Sequence, residues 1–438
     1  MTEQEIRALG PAFGRYLESF RGCFLQTRTM GHFSTFCRAL LSDLPRKSVE
    51  PIALESGEAV RTLQQFLATG KWDHEGSRRV FHERMGEVLA RLPDDGVGTI
   101  GVIDETSSPK WGDQTPGVQR QYLGCVGKID NGIVTVHVAV AKGPFQALLD
   151  ADLYLPASWA NDRDRCRKAG IPDEVVYHPK WRIAFDQLMR LHAAGIRFDW
   201  LTFDEWYGGK PPFLWLLTMA GQRFVAEVPR STSVRRKAAG PVEAVDQRQP
   251  GRTTASWERY RIPRKTQADV IWRAKSVRVW FNDGWHRLVT AVCESTGEVK
   301  YFLTNDLDAP LPTVLRVAFR RATVEHGFRL AKQEAGLMHF EGRHYVGLVR
   351  HLILGLIVMG FVAEHTERLR GEKSPGNAGT GLPGPERTLP RHDPAAPRFL
   401  AIPTHQPDDP IPSKTERRRH AVTQKTTAEM CAGVALYC

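Results

Sequence analysis

No two cysteines in this chain are spaced as Cys-x-x-Cys, and the seven present (Cys23, Cys37, Cys125, Cys166, Cys293, Cys431 and Cys438) are scattered. An odd, dispersed set excludes a zinc module and a disulfide scaffold, and the expectation is reduced thiols in the cytosol. The first ten residues, MTEQEIRALG, lack the basic start and apolar core of a secretory signal. Long apolar runs are also missing. The strongest, LILGLIVMGFVA at 352–363, falls short of the roughly 20 residues a spanning helix needs and reads as a buried helix. There is no internal repeat. These absences predict a soluble, cytoplasmic protein with no membrane partner.

What is present begins with length and charge. A chain of 438 residues holds two or three domains and buries a substantial core. Lys and Arg number 60 against 49 acids, a formal charge of +11. That excess favours a polyanionic partner, nucleic acid first and an anionic membrane surface as the rival.

The pattern along the chain predicts five regions. Residues 1–95 show apolar positions every three and four residues, broken at Pro45 and Pro51, and read as a helical domain suited to DNA binding. Residues 96–230 read as the first part of an α/β core. Strands are predicted at 98–105 (GTIGVIDE), 120–128 and 133–141, with the last two joined by a turn at Asp130-Asn131-Gly132. An irregular stretch rich in Asp and Arg follows, then a helix at 180–194, the strand FDWLTFD at 198–204, a helix and the strand RFVAEVP. Three antiparallel strands followed by helix–strand–helix–strand is the order of a ribonuclease-H-like mixed sheet. Residues 231–305 give short β-rich runs and read as an all-β insertion, and 306–368 resume the core with a long helix over 311–336. Residues 369–438, dense in Pro, Gly and Arg, have the composition of a disordered tail.

Two strands in this pattern run into carboxylates: Ile103 precedes Asp104-Glu105, and Phe203 precedes Asp204-Glu205. Neighbours on a strand face opposite ways, so one acid of each pair serves a shared site, and the symmetry selects Asp104 and Asp204. A third acid, Glu325, lies on the long helix behind Arg320 and Arg321, with Arg329 and Lys332 on its own face. Glu334 is its competitor. Taken singly, a strand-end Asp is more often a turn former, and Glu325 with Arg329 more often a surface ion pair. Together they suit phosphodiester chemistry, in which converging carboxylates hold two Mg²⁺ ions about 4 Å apart.

The three acids in this order, with an all-β segment between the second and third, resemble DDE-superfamily insertion-sequence transposases. The resemblance extends to IDETSSPKWGDQTPGVQRQYLG, VGKIDNG and AKQEAGLMHFEGRHYVGLVRHL, over about residues 10–365. One branch of that family carries a helix motif Tyr-x2-Arg-x3-Glu-x6-Lys. Arg321, Glu325 and Lys332 match it, whereas Ala318 stands at the Tyr position. The resemblance implies that Asp104, Asp204 and Glu325 bind two Mg²⁺ ions, for which Mn²⁺ substitutes. It also implies that Arg321 and Lys332, with Arg329 beside them, contact double-stranded DNA: terminal inverted repeats and target. A homodimer on DNA and a nucleoid-associated bacterial location follow from the same likeness. A tryptophan of the β segment (Trp257, Trp272, Trp280 or Trp285) would stack on a flipped base, and His178 and Lys180 are further DNA contacts. The alternatives are an inactive or domesticated DNA-binding derivative and a metal-dependent nuclease without strand transfer.

Overall fold

The computed structural model describes the backbone of residues 3–248, 257–262, 269–333 and 335–372; the side chains of 3–8, 323–333 and 369–372 are outside the description. All of these except residues 219–221 belong to one compact unit. The tail expected over 369–438 lies outside the described residues from 373 onward.

Five helices open the chain: α1 (Glu3–Glu18), α2 (Thr27–Leu41), α3 (Val49–Ser56), α4 (Val60–Ala68) and α5 (His74–Arg91). Their apolar faces meet in an aromatic cluster, with Phe20, Phe33, Phe36 and Phe81 fully buried. Asp73 starts α5 by accepting the Gly76 N–H at 2.7 Å, which satisfies one of the donors that a helix start leaves open.

Next come strands β1 (Ile100–Pro109), β2 (Gln119–Leu123), β3 (Lys128–Lys142) and β4 (Phe145–Leu153). Helices α6 (Ala157–Ala160), α7 (Arg163–Lys168) and α8 (Lys180–Ala193) lead to β5 (Trp200–Phe203), α9 (Glu205–Gly208), α10 (Pro211–Met219) and β6 (Phe224–Glu227). The spatial order β4-β3-β1-β5-β6 is antiparallel up to β1, while β1/β5 and β5/β6 are parallel. That is a ribonuclease-H-like mixed sheet. Strands β7 (Ser233–Arg235), β8 (Val242–Ala244), β9 (Glu258–Ile262), β10 (Val270–Phe281), β11 (Gly284–Cys293) and β12 (Val299–Thr304) continue it. They join through β12, which runs antiparallel to β6 from Phe302↔Glu227 to Thr304↔Val225.

Two long helices close the described chain, α11 (Leu311–Gln333) and α12 (Tyr345–Glu372). The former packs on β5, β1 and β6; the latter packs on β4 and on α2, α4 and α5. Residues Tyr345–Arg368 of α12 are long and apolar enough to cross a membrane, yet 78% of their most apolar window is buried inside the protein. The helix is apolar because it is the core that the N-terminal helices and the sheet share.

Three local expectations need correction. The acids do not end β1: the strand runs on to Pro109, paired with β3 as far as Pro109↔Gly132. The turn is not at 130–132, which lies inside β3; it falls at 124–127, where Gly127 takes a positive φ of 67°. Asn131 is claimed elsewhere, its amide donating to the Lys110 and Gly112 carbonyls at 2.7 Å each. The stretch expected to be irregular contains β4, so the three antiparallel strands of the core are β1, β3 and β4, with β2 an added short strand. Its aspartates hid it: Asp150 and Asp152 interrupt the apolar pattern, but Asp150 is buried, Asp152 half-buried, and both pair with arginines.

Candidate active site

Parallel pairing of β1 with β5 ends at Ile103↔Phe203, so the next residue of each strand, Asp104 and Asp204, emerges at the same level of the sheet. Asp204 also starts α9, its Oδ1 accepting the N–H groups of Trp206 at 3.1 Å and Tyr207 at 3.2 Å. The helix start therefore fixes the carboxylate's direction. Asp104 accepts the Glu105 N–H at 2.8 Å. Burial pushes the Asp104 carboxyl up to about 7; the Asp204 charge adds to the rise, while the Glu105 N–H and the Arg321 cation oppose it. A buried carboxyl beside a second acid resists ionisation until a cation joins it, and that is the position of Asp104.

Around this pair the surroundings are built from other elements. Glu227, the last residue of β6, lies 3.5 Å from Arg321 and 2.6 Å from the Lys300 ammonium of β12. Arg320 reaches the other way, to Asp95 at 3.2 Å. Glu105 faces Lys180 of α8 at 2.7 Å. Tyr207 is fully buried, and its hydroxyl has no hydrogen-bond partner among the described residues. Burial pushes that hydroxyl well above its ordinary range, with the charges of Glu105, Asp104 and Asp204 adding to it.

The structure thus sets Asp104, Asp204 and Arg321 in one neighbourhood. Glu325, Arg329 and Lys332 lie on α11, the helix laid over β1 and β5, but their side chains are outside the description, and Glu334 lies outside the described residues altogether. Among the described residues no group of three His, Cys, Asp or Glu gathers as a metal cluster. The donors that are described fit a hard divalent cation in kind: carboxylate oxygens on adjacent parallel strands, at a rim where burial disfavours the uncompensated charge of Asp104.

The tryptophans expected to stack on DNA separate into kinds. Trp272 is core, packed on Phe319 with ring centroids 4.9 Å apart. Trp280 and Trp285 meet edge to face at 5.5 Å beside the β10–β11 turn, and Trp257 lies near Arg273 and Lys275. Burial lowers the proton affinity of His178, with Asp186 opposing. Sequence reasoning missed Glu227 and the Glu105–Lys180 pair. Glu227 did carry a signal, since it too is an acid closing an apolar strand.

A mixed ribonuclease-H-like sheet bearing paired aspartates on adjacent parallel strands defines a class of metal-dependent nucleic-acid enzymes. Residues 19–291 match the DDE superfamily endonuclease family. The chain belongs to that family, whose members act on DNA and generally use divalent metals. It is also 32% identical over 195 residues to the probable transposase for insertion sequence element IS701 of Microchaete diplosiphon. The match covers 44% of this chain and 47% of that protein, so the chain spans about half the length of the curated relative it matches.

Proposed function

We propose that the protein is a transposase of an insertion sequence. It binds the terminal inverted repeats as a homodimer, hydrolyses a strand at each end to free a 3′-hydroxyl, and joins that hydroxyl to target DNA by transesterification. In the first step water forms a bond to phosphorus and the 3′-oxygen leaves as a hydroxyl; in the second that 3′-oxygen bonds to a target phosphorus while the bond from this phosphorus to the target's own 3′-oxygen breaks, and the displaced oxygen leaves as a hydroxyl. The observation that carries this reading is the Asp104–Asp204 pair on neighbouring parallel strands in a chain of this family.

Asp104, Asp204 and Glu325 would hold two divalent ions, Mg²⁺ with Mn²⁺ as a substitute, which when bound activate the attacking oxygen and stabilise the leaving one. Arg321 offsets the negative charge beside Asp104, and Arg329 and Lys332 grip the phosphates next to the cleaved bond. The helical residues 1–95 add DNA contacts, and the protein works in the bacterial cytoplasm on the nucleoid. The test is cleavage and joining of end-containing DNA with Mg²⁺, products resolved on a denaturing gel. Asp104→Ala, Asp204→Ala and Glu325→Ala should each lower cleavage by about 10³-fold or more. Activity surviving all three refutes the assignment, and cleavage without joined product reduces the reading to a nuclease.

A further inference from the structure

Glu227 stands third in a row of strand-end acids. Ile103 pairs with Phe203 and Phe203 with Ala226, so Asp104, Asp204 and Glu227 follow at one level of three adjacent parallel strands. In-register residues of parallel strands face the same side. For Glu227 that is the side α11 covers, since its cross-strand partner Phe302 packs on Phe319 of that helix, ring centroids 5.8 Å apart. The backbone fixes the acid there. A Cβ at Gly208 would run into the Glu227 carbonyl, so α9, the helix that Asp204 starts, rests directly on Glu227.

Unlike the aspartates, Glu227 sits between two cations, with Lys300 Nζ of β12 at 2.6 Å and Arg321 Nη2 of α11 at 3.5 Å. The three side chains are only 16–22% exposed, so water screens their charges in part. The two contacts differ in kind. The short one neutralises Glu227, and the longer one holds Arg321 in direction while leaving it able to exchange partners. A long side chain loses rotamer freedom when it engages a substrate, and a carboxylate that orients it beforehand removes that cost from the reaction. We propose that Glu227 is a positioning residue: held by Lys300, it keeps the Arg321 guanidinium at the Asp104–Asp204 rim, where it meets an oxygen of the phosphate being cut. When Arg321 turns to the phosphate, Lys300 still balances Glu227, so no half-buried charge is stranded. This rests on the transposase reading for the phosphate, and it adds the residues that orient the cation.

The test measures single-turnover cleavage of end-containing DNA with Mg²⁺ by the full chain, and DNA affinity separately in EDTA. Glu227→Gln is expected to lower the saturating rate about 10-fold, while the half-saturating DNA concentration and the affinity in EDTA stay within about 2-fold. In an Arg321→Ala background the same change should shift the rate by no more than about 2-fold, because the residue it acts through is gone. Glu227→Asp keeps the charge for Lys300 but draws it back from Arg321, and it should lose about as much rate as Glu227→Gln. Full activity in Glu227→Asp reduces the acid to a counter-charge for Lys300 and overturns the proposal. So does a 10-fold loss that persists in Arg321→Ala, or a fall in EDTA affinity that matches the fall in rate. Should Glu227→Gln not fold, Glu227→Asp carries the same comparison. The transposase reading fails separately, as cleavage surviving Asp104→Ala.

Discussion

Single residues in this protein act by closing gaps that the backbone leaves. Arg350 of α12 is 5% exposed and donates to four carbonyls where α4 ends: Phe66 at 3.2 Å, Leu67 at 3.0 Å, Gly70 at 2.7 Å and Trp72 at 3.3 Å. A helix end leaves such oxygens without partners, and here one guanidinium serves them while lying on the Trp72 ring at 4.7 Å. Burial lowers its proton affinity to about 10, still far above neutral, so the charge persists inside. Arg350→Met keeps the stem and strands the carbonyls. Urea unfolding should show a loss of about 3 kcal/mol or more, and a loss under 1 kcal/mol would mean that water replaces the guanidinium.

At the scale of elements, β1 is longer than its acidic pair requires, and the extra length has a job. Ser108 and Lys110, beyond Asp104, both donate to the Met338 carbonyl at 3.2 Å, so the strand that carries the first acid also holds the segment joining α11 to α12. Under the same segment His351 of α12 bonds the Gly336 carbonyl at 2.9 Å. Burial pushes the His351 imidazole down to about 4; the Gly336 bond opposes this, and the charges of Lys110 and His339 add to it. Below about pH 6.5 the unfolded chain takes up a proton that the folded chain refuses until about 4. The unfolded state therefore holds more protons in that window, and stability falls as pH drops through it, by about 3 kcal/mol. Unfolding free energies measured from pH 7 to 4 should show that slope, and His351→Gln should flatten it.

For the molecule as a whole, the N-terminal helices are welded to the sheet by a partly buried ion cluster. Arg78 of α5 and Arg190 of α8 bracket Asp150 and Asp152 of β4, with Arg190 Nε 2.8 Å from Asp150 and Arg78 Nη1 3.1 Å from Asp152. Burial alone would raise the Asp152 carboxyl, but Arg190 and Arg78 together hold it below the usual carboxylate range. A depressed folded value means stability that is complete above the unfolded pKa and lost as pH falls below about 4. Asp152→Asn should soften that acid limb. At neutral pH it should cost about 2 kcal/mol, because buried Arg78 and half-buried Arg190 lose a shared counter-charge. Acid titration of both proteins followed by circular dichroism checks this, and superimposable curves would remove the cluster from the account.

The sequence by itself determined the class of the sheet, the two aspartates closing apolar runs, the basic helix carrying Glu325, and the family. Those are local signals: strand and helix periods, and an acid placed where apolar burial stops. Tertiary structure decided what depends on distant partners. It carried β1 past its acids because β3 pairs with it to Pro109, and it moved the turn to Gly127 because Asn131 is held by Lys110 and Gly112. It made a strand of 145–153, whose aspartates find arginines 40 and 74 residues away, and it set Glu227 against Arg321 across 94 residues. A charge reads as surface in sequence; only the fold shows where its counter-charge is buried with it.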